Sequence, residues 1–207
     1  MSDVAVIFDC EFLTAPGAPQ RFWCGPEDPD PVAVQIGAVK LALTAEAEML
    51  ETWQQVILPP ARDGGVHPIH PFFTKLTGID ASRITREGVA LEDALSAFDR
   101  FSDGAPFWSW GKDEFNLLAI SCYVAGIAPI IPAARFHNAV HLFVAAGYDI
   151  ETIHQLRSPG LPEFLGLDPS GLQAHDALSD AQAVAMAVQH LIRTGRLDPR
   201  ALLQPAP

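Results

Sequence analysis

At 207 residues with 49% hydrophobic content, the chain is long enough to bury one large core and short enough to make one domain or a compact pair. Its 25 acidic and 13 basic residues give a formal net charge of −12, the wrong sign for a protein that wraps a duplex or tracks phosphates along an extended groove. No apolar run approaches the ~20 residues that span a bilayer, and the five apolar residues between Asp3 and Asp9 lack the basic flank and length of a signal peptide. The three cysteines (Cys10, Cys24, Cys122) have neither metal-site spacing nor an even count, so a reducing, cytoplasmic setting is expected.

The first predicted element is a buried strand over 4–8, apolar and rich in β-branched residues. A proline- and glycine-rich loop follows at 14–31 and contains Arg21, Phe22 and Trp23. Because it leaves the sheet directly after Glu11, its aromatics either cover that edge or stack on a ligand there, or they simply pin the loop to the body. Strands are expected at 33–43 and 50–58, with tight turns around Thr44-Ala45-Glu46. Helical spacing appears at 91–98, a central strand at 106–110, a helix at 113–125, a last strand at 134–137 and a helix at 139–147. Short helical pieces run on to Leu167. Residues 176–193 then place Leu178, Ala181, Val184, Ala185, Val188, Leu191 and Ile192 on one helical face. Early strands followed by alternating strand and helix predict an α/β domain, a mixed sheet with helices on its faces. The expected boundaries are one domain over 1–195 and a frayed tail over 196–207.

Two acidic clusters at opposite ends of the chain carry the chemistry. Side chains alternate along a strand, so Asp9 and Glu11 project to one face at its carboxyl end. Paired carboxylates repel each other unless a cation sits between them, and Mg²⁺ or Mn²⁺ favours such oxygen ligands. The alternative is a strand running out into solvent through two ordinary acids. Cys10 between them faces the other way, as a small core residue. In His175-Asp176-Ala177-Leu178-Ser179-Asp180-Ala181, either Asp176 or Ser179 is placed to cap the last helix. Asp180 falls beside Ala177, Ala181 and Ala183, whose small side chains permit close helix–sheet approach. His175 precedes the helix, where an imidazole accepts a proton near neutral pH or is merely a surface residue. Three carboxylates and an imidazole are the equipment for metal-assisted phosphodiester hydrolysis.

FDCEF, then VQIGAVKL, then HDALSDA, in that order, resemble the DEDDh 3′→5′ exonuclease superfamily, which includes RNase T and polymerase proofreading exonucleases. The resemblance spans residues 4–193 and implies a ribonuclease H-like exonuclease fold. It implies that Asp9, Glu11 and Asp180 hold a divalent ion, Mg²⁺ or Mn²⁺, that Asp9 bridges to a second ion, and that His175 takes a proton from the attacking water. The middle motif is less regular. The family places an aspartate at a helix start after a central strand, where this chain has Lys112-Asp113-Glu114. Asp113 has the expected residue type, whereas Glu114 has the better register, with Leu117 and Leu118 following on the packing face. We assign Asp113, with Glu114 as the alternative.

Leu76 and Thr77, within HPFFTKLTGI, are similar to a family segment that packs against terminal nucleotides. Trp110 stands at the carboxyl end of a central strand, the edge where ligands bind in open α/β sheets. Phe12 is similarly placed, and both resemble the family's base-stacking positions, with core packing the alternative for each. The Trp110-Gly111 pair and Asn138 are similar to the branch of small RNA-trimming 3′ exonucleases, which favours RNA over DNA. The expected partner is a short single-stranded RNA or DNA 3′ end, gripped by cations and aromatic stacking rather than by a basic track. A DNA proofreading exonuclease and a catalytically silent binding module of the same fold are the alternatives.

Overall fold

β1 (Val4–Phe12) runs down the centre of a five-stranded sheet ordered β3-β2-β1-β4-β5. The computed structural model describes residues 3–203. β2 (Ala33–Ala42) and β3 (Met49–Val56) continue antiparallel on one side of β1, while β4 (Phe107–Ser109) and β5 (Phe136–Asn138) lie parallel to it on the other. Between β3 and β4 come α1 (Pro71–Thr77), α2 (Ala81–Glu87) and α3 (Leu91–Ser102), and α4 (Asp113–Ala125) connects β4 to β5. α5 (Val140–Ala145), α6 (Ile150–Ile153), α7 (Leu161–Phe164) and α8 (Ala177–Arg193) follow. No helix among the described residues is long and apolar enough to cross a membrane.

Both faces of the sheet are covered, which explains why β1 and β2 read as nearly continuous apolar runs. On one face Ala181, Val184, Ala185 and Val188 of α8 pack against Ile7, Val39, Leu41 and Trp108. On the other, Leu95 and Phe98 of α3 and Leu118 and Cys122 of α4 meet Phe8, Cys10, Ala38 and Phe107. Cys10 therefore lies in the core on the face opposite to Ile7, as alternation requires. A third cluster joins Leu13, Val34 and Val56 to Phe73, Ile79 and Ile84, seating α1 and α2 beyond the sheet.

Gly37 is the point on which the α8 face turns. In the antiparallel register it lies opposite Asp9. A β-carbon there would stand 2.1 Å from the Leu178 nitrogen and 2.3 Å from the Ala177 carbonyl carbon, both backbone atoms of the first turn of α8. Only glycine lets the helix start that close to the sheet.

Two expectations need correction. The spacing gave no helices between 59 and 90, yet α1 and α2 form there, each with a side-chain N-cap, from His70 and Asp80. The tail does not fray from residue 196 either: Leu197 and Leu202 are buried, Pro199–Leu203 form a 3₁₀ turn, and the Trp108 indole donates to the Leu202 carbonyl at 3.0 Å. Residues 204–207 lie outside the described range.

Gly37→Ala is expected to destabilise the protein by about 1–3 kcal/mol, because backbone rather than a flexible side chain must move away. Urea unfolding should show a lower midpoint with little change in slope, whereas an unchanged midpoint would mean that α8 does not need this approach.

Candidate metal centre

Three elements bring carboxylates together at the carboxyl end of β1. Asp9 and Glu11 come from β1, Asp180 from the first turn of α8, and Glu114 from the first turn of α4; all four are buried. Sequence register alone explains the first pair. The other two depend on how their helices are started.

α8 is started by Asp176, whose carboxylate accepts the Ser179 N–H at 3.0 Å. That cap is itself clamped. Gln35, fully buried on β2, donates to Asp176 at 3.2 Å and accepts the Ala177 N–H at 3.0 Å, while Gln54 of β3 donates to Asp176 at 2.9 Å. Asp176 is thus the structural cap, and Asp180, one turn on, is aimed at the strand. α4 is started by a turn at Gly111, held at φ 97°, a left-handed conformation that glycine adopts at low cost. Asn138 Oδ1 accepts the N–H groups of both Gly111 (3.1 Å) and Val140 (2.9 Å), tying the β4–α4 turn to the β5–α5 turn.

This geometry separates the two middle-motif candidates. Glu114 is buried and its charge is the largest electrostatic influence on Asp9, whereas Asp113 is exposed and points away into a surface groove. The residue brought into the cluster is Glu114, not Asp113. Helix register decided the outcome, since Glu114 shares the buried face of α4 with Leu118 and Asp113 does not.

The cluster is electrostatically frustrated as it stands. Burial pushes the Glu11 carboxyl up to about 8, assisted by the charges of Asp180, Asp176 and Glu114. Burial likewise raises Asp180 to about 7 and Glu114 to about 7. Asp9 is raised first by burial and then by Glu114, Asp180 and Glu11, and a hydrogen bond from the Ser158 hydroxyl at 3.2 Å opposes the shift. Glu114 Oε2 is buried without a hydrogen-bond partner. Such an orphaned acceptor among crowded carboxylates is satisfied by a cation. Ligand atoms of Glu11, His175 and Asp180 all lie within 4.8 Å of one another, and the His175 N–H donates to Asp180 at 3.2 Å. The carboxylate oxygens therefore fit a divalent ion, with the His175 imidazole close beside them. His175 is exposed and sits at φ 62°, a left-handed conformation uncommon outside glycine.

The expected substrate contacts fare unevenly. Phe12 is half-buried and packs beside the Phe8 cluster, and Leu76 is half-buried in α1. Thr77 is buried, its hydroxyl donating to the Phe73 carbonyl (3.0 Å) and accepting the Ile79 N–H (3.1 Å), so it fastens the end of α1 rather than facing a ligand. Trp110 is 9% exposed, lies edge-on to Phe143 and donates its indole N–H to the Leu156 carbonyl at 2.9 Å. It is a core residue that holds the 150s segment, not a stacking platform. Ser158 and Gln35 were not visible in the sequence as site residues, because their partners are more than a hundred residues away.

No family profile and no curated protein sequence matches the chain. Solved structures do. A full-length 3′-exonuclease superposes with a TM-score of 0.72 at 20% identity, covering 93% of this chain and 61% of that one. A 3′-exonuclease solved for its 3′-end specific recognition of histone mRNA stem-loop gives 0.73 at 19% identity, covering 94% and 65%. Escherichia coli Exonuclease I in complex with a dA16 oligonucleotide gives 0.62 at 17% identity, covering 95% and 42%. The architecture is thus the ribonuclease H-like exonuclease fold, and this chain spans less than two-thirds of the length of each of these structures.

The raised carboxyls make a prediction about pH. Glu11 titrates near 4.5 when unfolded and at about 8 when folded, and Asp180 near 3.8 and at about 7, so the folded state binds more protons across that window. Their stabilising contribution is complete at the acid end and is lost as the pH rises through the folded values. Without metal, melting temperature should fall from pH 5 to pH 8, and the rise produced by Mn²⁺ should grow over the same range. A metal-induced shift that is absent, or equal at both ends, would mean that these carboxylates do not form the site.

Proposed function

We propose that the chain is a metal-dependent 3′→5′ exonuclease that hydrolyses single-stranded nucleic acid ends and releases 5′-monophosphates. The observation that carries this reading is the convergence of Asp9, Glu11, Glu114 and Asp180, with one orphaned oxygen, beside the exposed imidazole of His175. Its placement at the carboxyl edge of the central strands, on a fold shared with 3′-exonucleases, supports the same reaction class.

Asp9, Glu11 and Asp180 would hold one Mg²⁺ or Mn²⁺, with Glu114 assisting a second, replacing Asp113 in that role. When bound, such ions activate water and neutralise the charge that develops on the leaving 3′-oxygen. His175, solvent-facing yet anchored through its backbone to Asp180, is positioned to take the proton from the attacking water. Ser158 holds Asp9 by its hydroxyl and fixes the orientation of that carboxylate. RNA is the favoured substrate, supported by the histone mRNA stem-loop named for one structural neighbour, and the strand is short. The free cysteines Cys10, Cys24 and Cys122 support a cytoplasmic setting.

The test is incubation with 3′- and 5′-labelled RNA and DNA single strands, with and without Mn²⁺. Asp180→Asn should abolish turnover and metal binding together. His175→Ala should retain metal and lose about 10²–10⁴-fold in rate, the range of a positioned general base. Glu114→Gln should be far more damaging than Asp113→Asn, and the reverse order would return the middle role to Asp113. No 3′ shortening of any strand by the wild type at millimolar metal would overturn the activity.

A further inference from the structure

The loop at 14–31 is built with more care than a connector requires. Phe22 and Trp23 adopt left-handed backbone in succession, at φ 55° and 51°, a conformation that costs about 1–2 kcal/mol for each non-glycine residue. Arg21 holds them there. Its guanidinium forms a bidentate pair with Asp28 and donates to the Pro16 carbonyl at 2.8 Å, and Asp28 also accepts the Gly25 N–H at 2.7 Å. A β-carbon at Gly17 or Gly25 would stand 2.7 Å from that guanidinium, so both glycines make room for it. The Trp23 indole is fastened to the Leu13 carbonyl at 3.1 Å. The result of this strapping is a phenyl ring, Phe22, left 83% exposed to water.

That ring borders a groove of 820 Å³ between the loop and the exposed side of α4. Phe22 and Trp23 line it, as do Asp113, Asn116 and Arg157. Arg157 immediately precedes Ser158, the residue bonded to Asp9, and Asp113 immediately precedes Glu114, so two of the lining residues are chain neighbours of the metal centre. Among the charges lining it, Asp30 is paired with Arg62, and Asp28 with Arg21. The Arg157 side chain is exposed and forms no ion pair or hydrogen bond among the described residues, its backbone carbonyl alone accepting the Gly160 N–H at 2.9 Å. An aromatic face, an unpaired guanidinium and an exposed amide at Asn116 are the components that bind a base, a phosphate and a base edge on a flexible strand.

We propose that this groove holds the nucleotides immediately upstream of the scissile bond, with Phe22 stacking on a base and Arg157 contacting the phosphate nearest the metal centre. The assignment rests on the nuclease reading above and adds the path of the strand. A pre-strained, strapped loop loses little entropy when it binds, and this gives a reason for maintaining an unfavourable backbone to expose a ring.

The test compares wild type, Phe22→Ala, Phe22→Trp and Arg157→Gln on single strands of two to eight nucleotides, by anisotropy and by turnover. Thermal melts establish that each variant is folded. Wild-type affinity should rise over the first few nucleotides and then level off. Phe22→Ala should weaken binding of the octamer by about 5- to 150-fold, with the penalty shrinking on the dinucleotide, and Phe22→Trp should restore it. Arg157→Gln should flatten the slope of log affinity against log salt by about 0.7. Equal effects at every length, or none, while the wild type still shortens 3′ ends, would overturn the groove and leave the nuclease reading standing. A wild type that neither binds nor shortens any strand would overturn both.

Discussion

The contact between the first turn of α8 and strand β2 sets everything else at the site. Gly37 supplies the closeness, Gln35 supplies the hydrogen bonds, and Asp176 supplies the cap that both depend on. In the β1–β2 register Gly37 faces Asp9 and Gln35 faces Glu11, so the two residues that dock the helix are the cross-strand neighbours of the two carboxylates that need it. Asp180 reaches the cluster because the helix begins where it does, and the His175 N–H then ties the preceding loop to Asp180. The geometry of the carboxylate cluster and the packing of the α8 face are therefore one constraint. A buried glutamine is costly unless satisfied, and here both ends of its amide are used.

The cluster also shows what packing is asked to offset. Crowded, desolvated carboxylates raise one another's proton affinity, as Glu114, Asp180 and Glu11 do for Asp9 and as Asp180 and Glu114 do for Glu11. Each sits at the end of a well-buried element whose apolar contacts lie elsewhere: Ile7 and Phe8 for β1, Val184 and Val188 for α8, Leu118 for α4. The apolar faces hold the acids in place against their repulsion, and the repulsion in turn sets a strong affinity for positive charge. This is the usual relation between a strained site and the stable scaffold around it.

Much of this was legible in the sequence, and the failures have physical causes. β1, β2, α4 and α8 were readable because apolar period identifies long, well-packed elements, and Asp9 with Glu11 followed from strand alternation. The middle carboxylate divided residue type from register, and register prevailed because the buried face of α4 is fixed by Leu118 and Cys122. Trp110 was misplaced because the carboxyl end of a strand says where ligands bind but not which side chains are already covered; the 150s segment that covers Trp110 has no strong periodicity. The tail read as frayed from its prolines, yet Leu202 occupies the core and accepts the Trp108 bond. Ser158, Gln35 and the groove depend on contacts far apart in the chain, which no local pattern encodes.

The charge balance, unfavourable at first sight, becomes intelligible once the cations are located. Arg83 and Arg86 both pair with Glu87, Arg135 with Asp99, and Lys40 with Glu51, while Arg193 and Arg196 donate to the Glu46 and Ala146 carbonyls. The segment around Arg83 and Arg86 therefore offers no basic track, because its charges are answered locally. An acidic chain with most of its arginines committed to its own structure attracts a polyanion only over short range. Salt screens the general repulsion within about 10 Å at 0.1 M, so a strand end must come close before any attraction is felt. On the proposed function, what then meets it is a concentrated device, with crowded carboxylates that draw cations and, on the groove wall, an Arg157 side chain without an ion pair among the described residues. On that proposal, such an arrangement would discriminate by geometry rather than by charge: a duplex would press its phosphates on an acidic surface, whereas a single 3′ end would expose that surface to only a few.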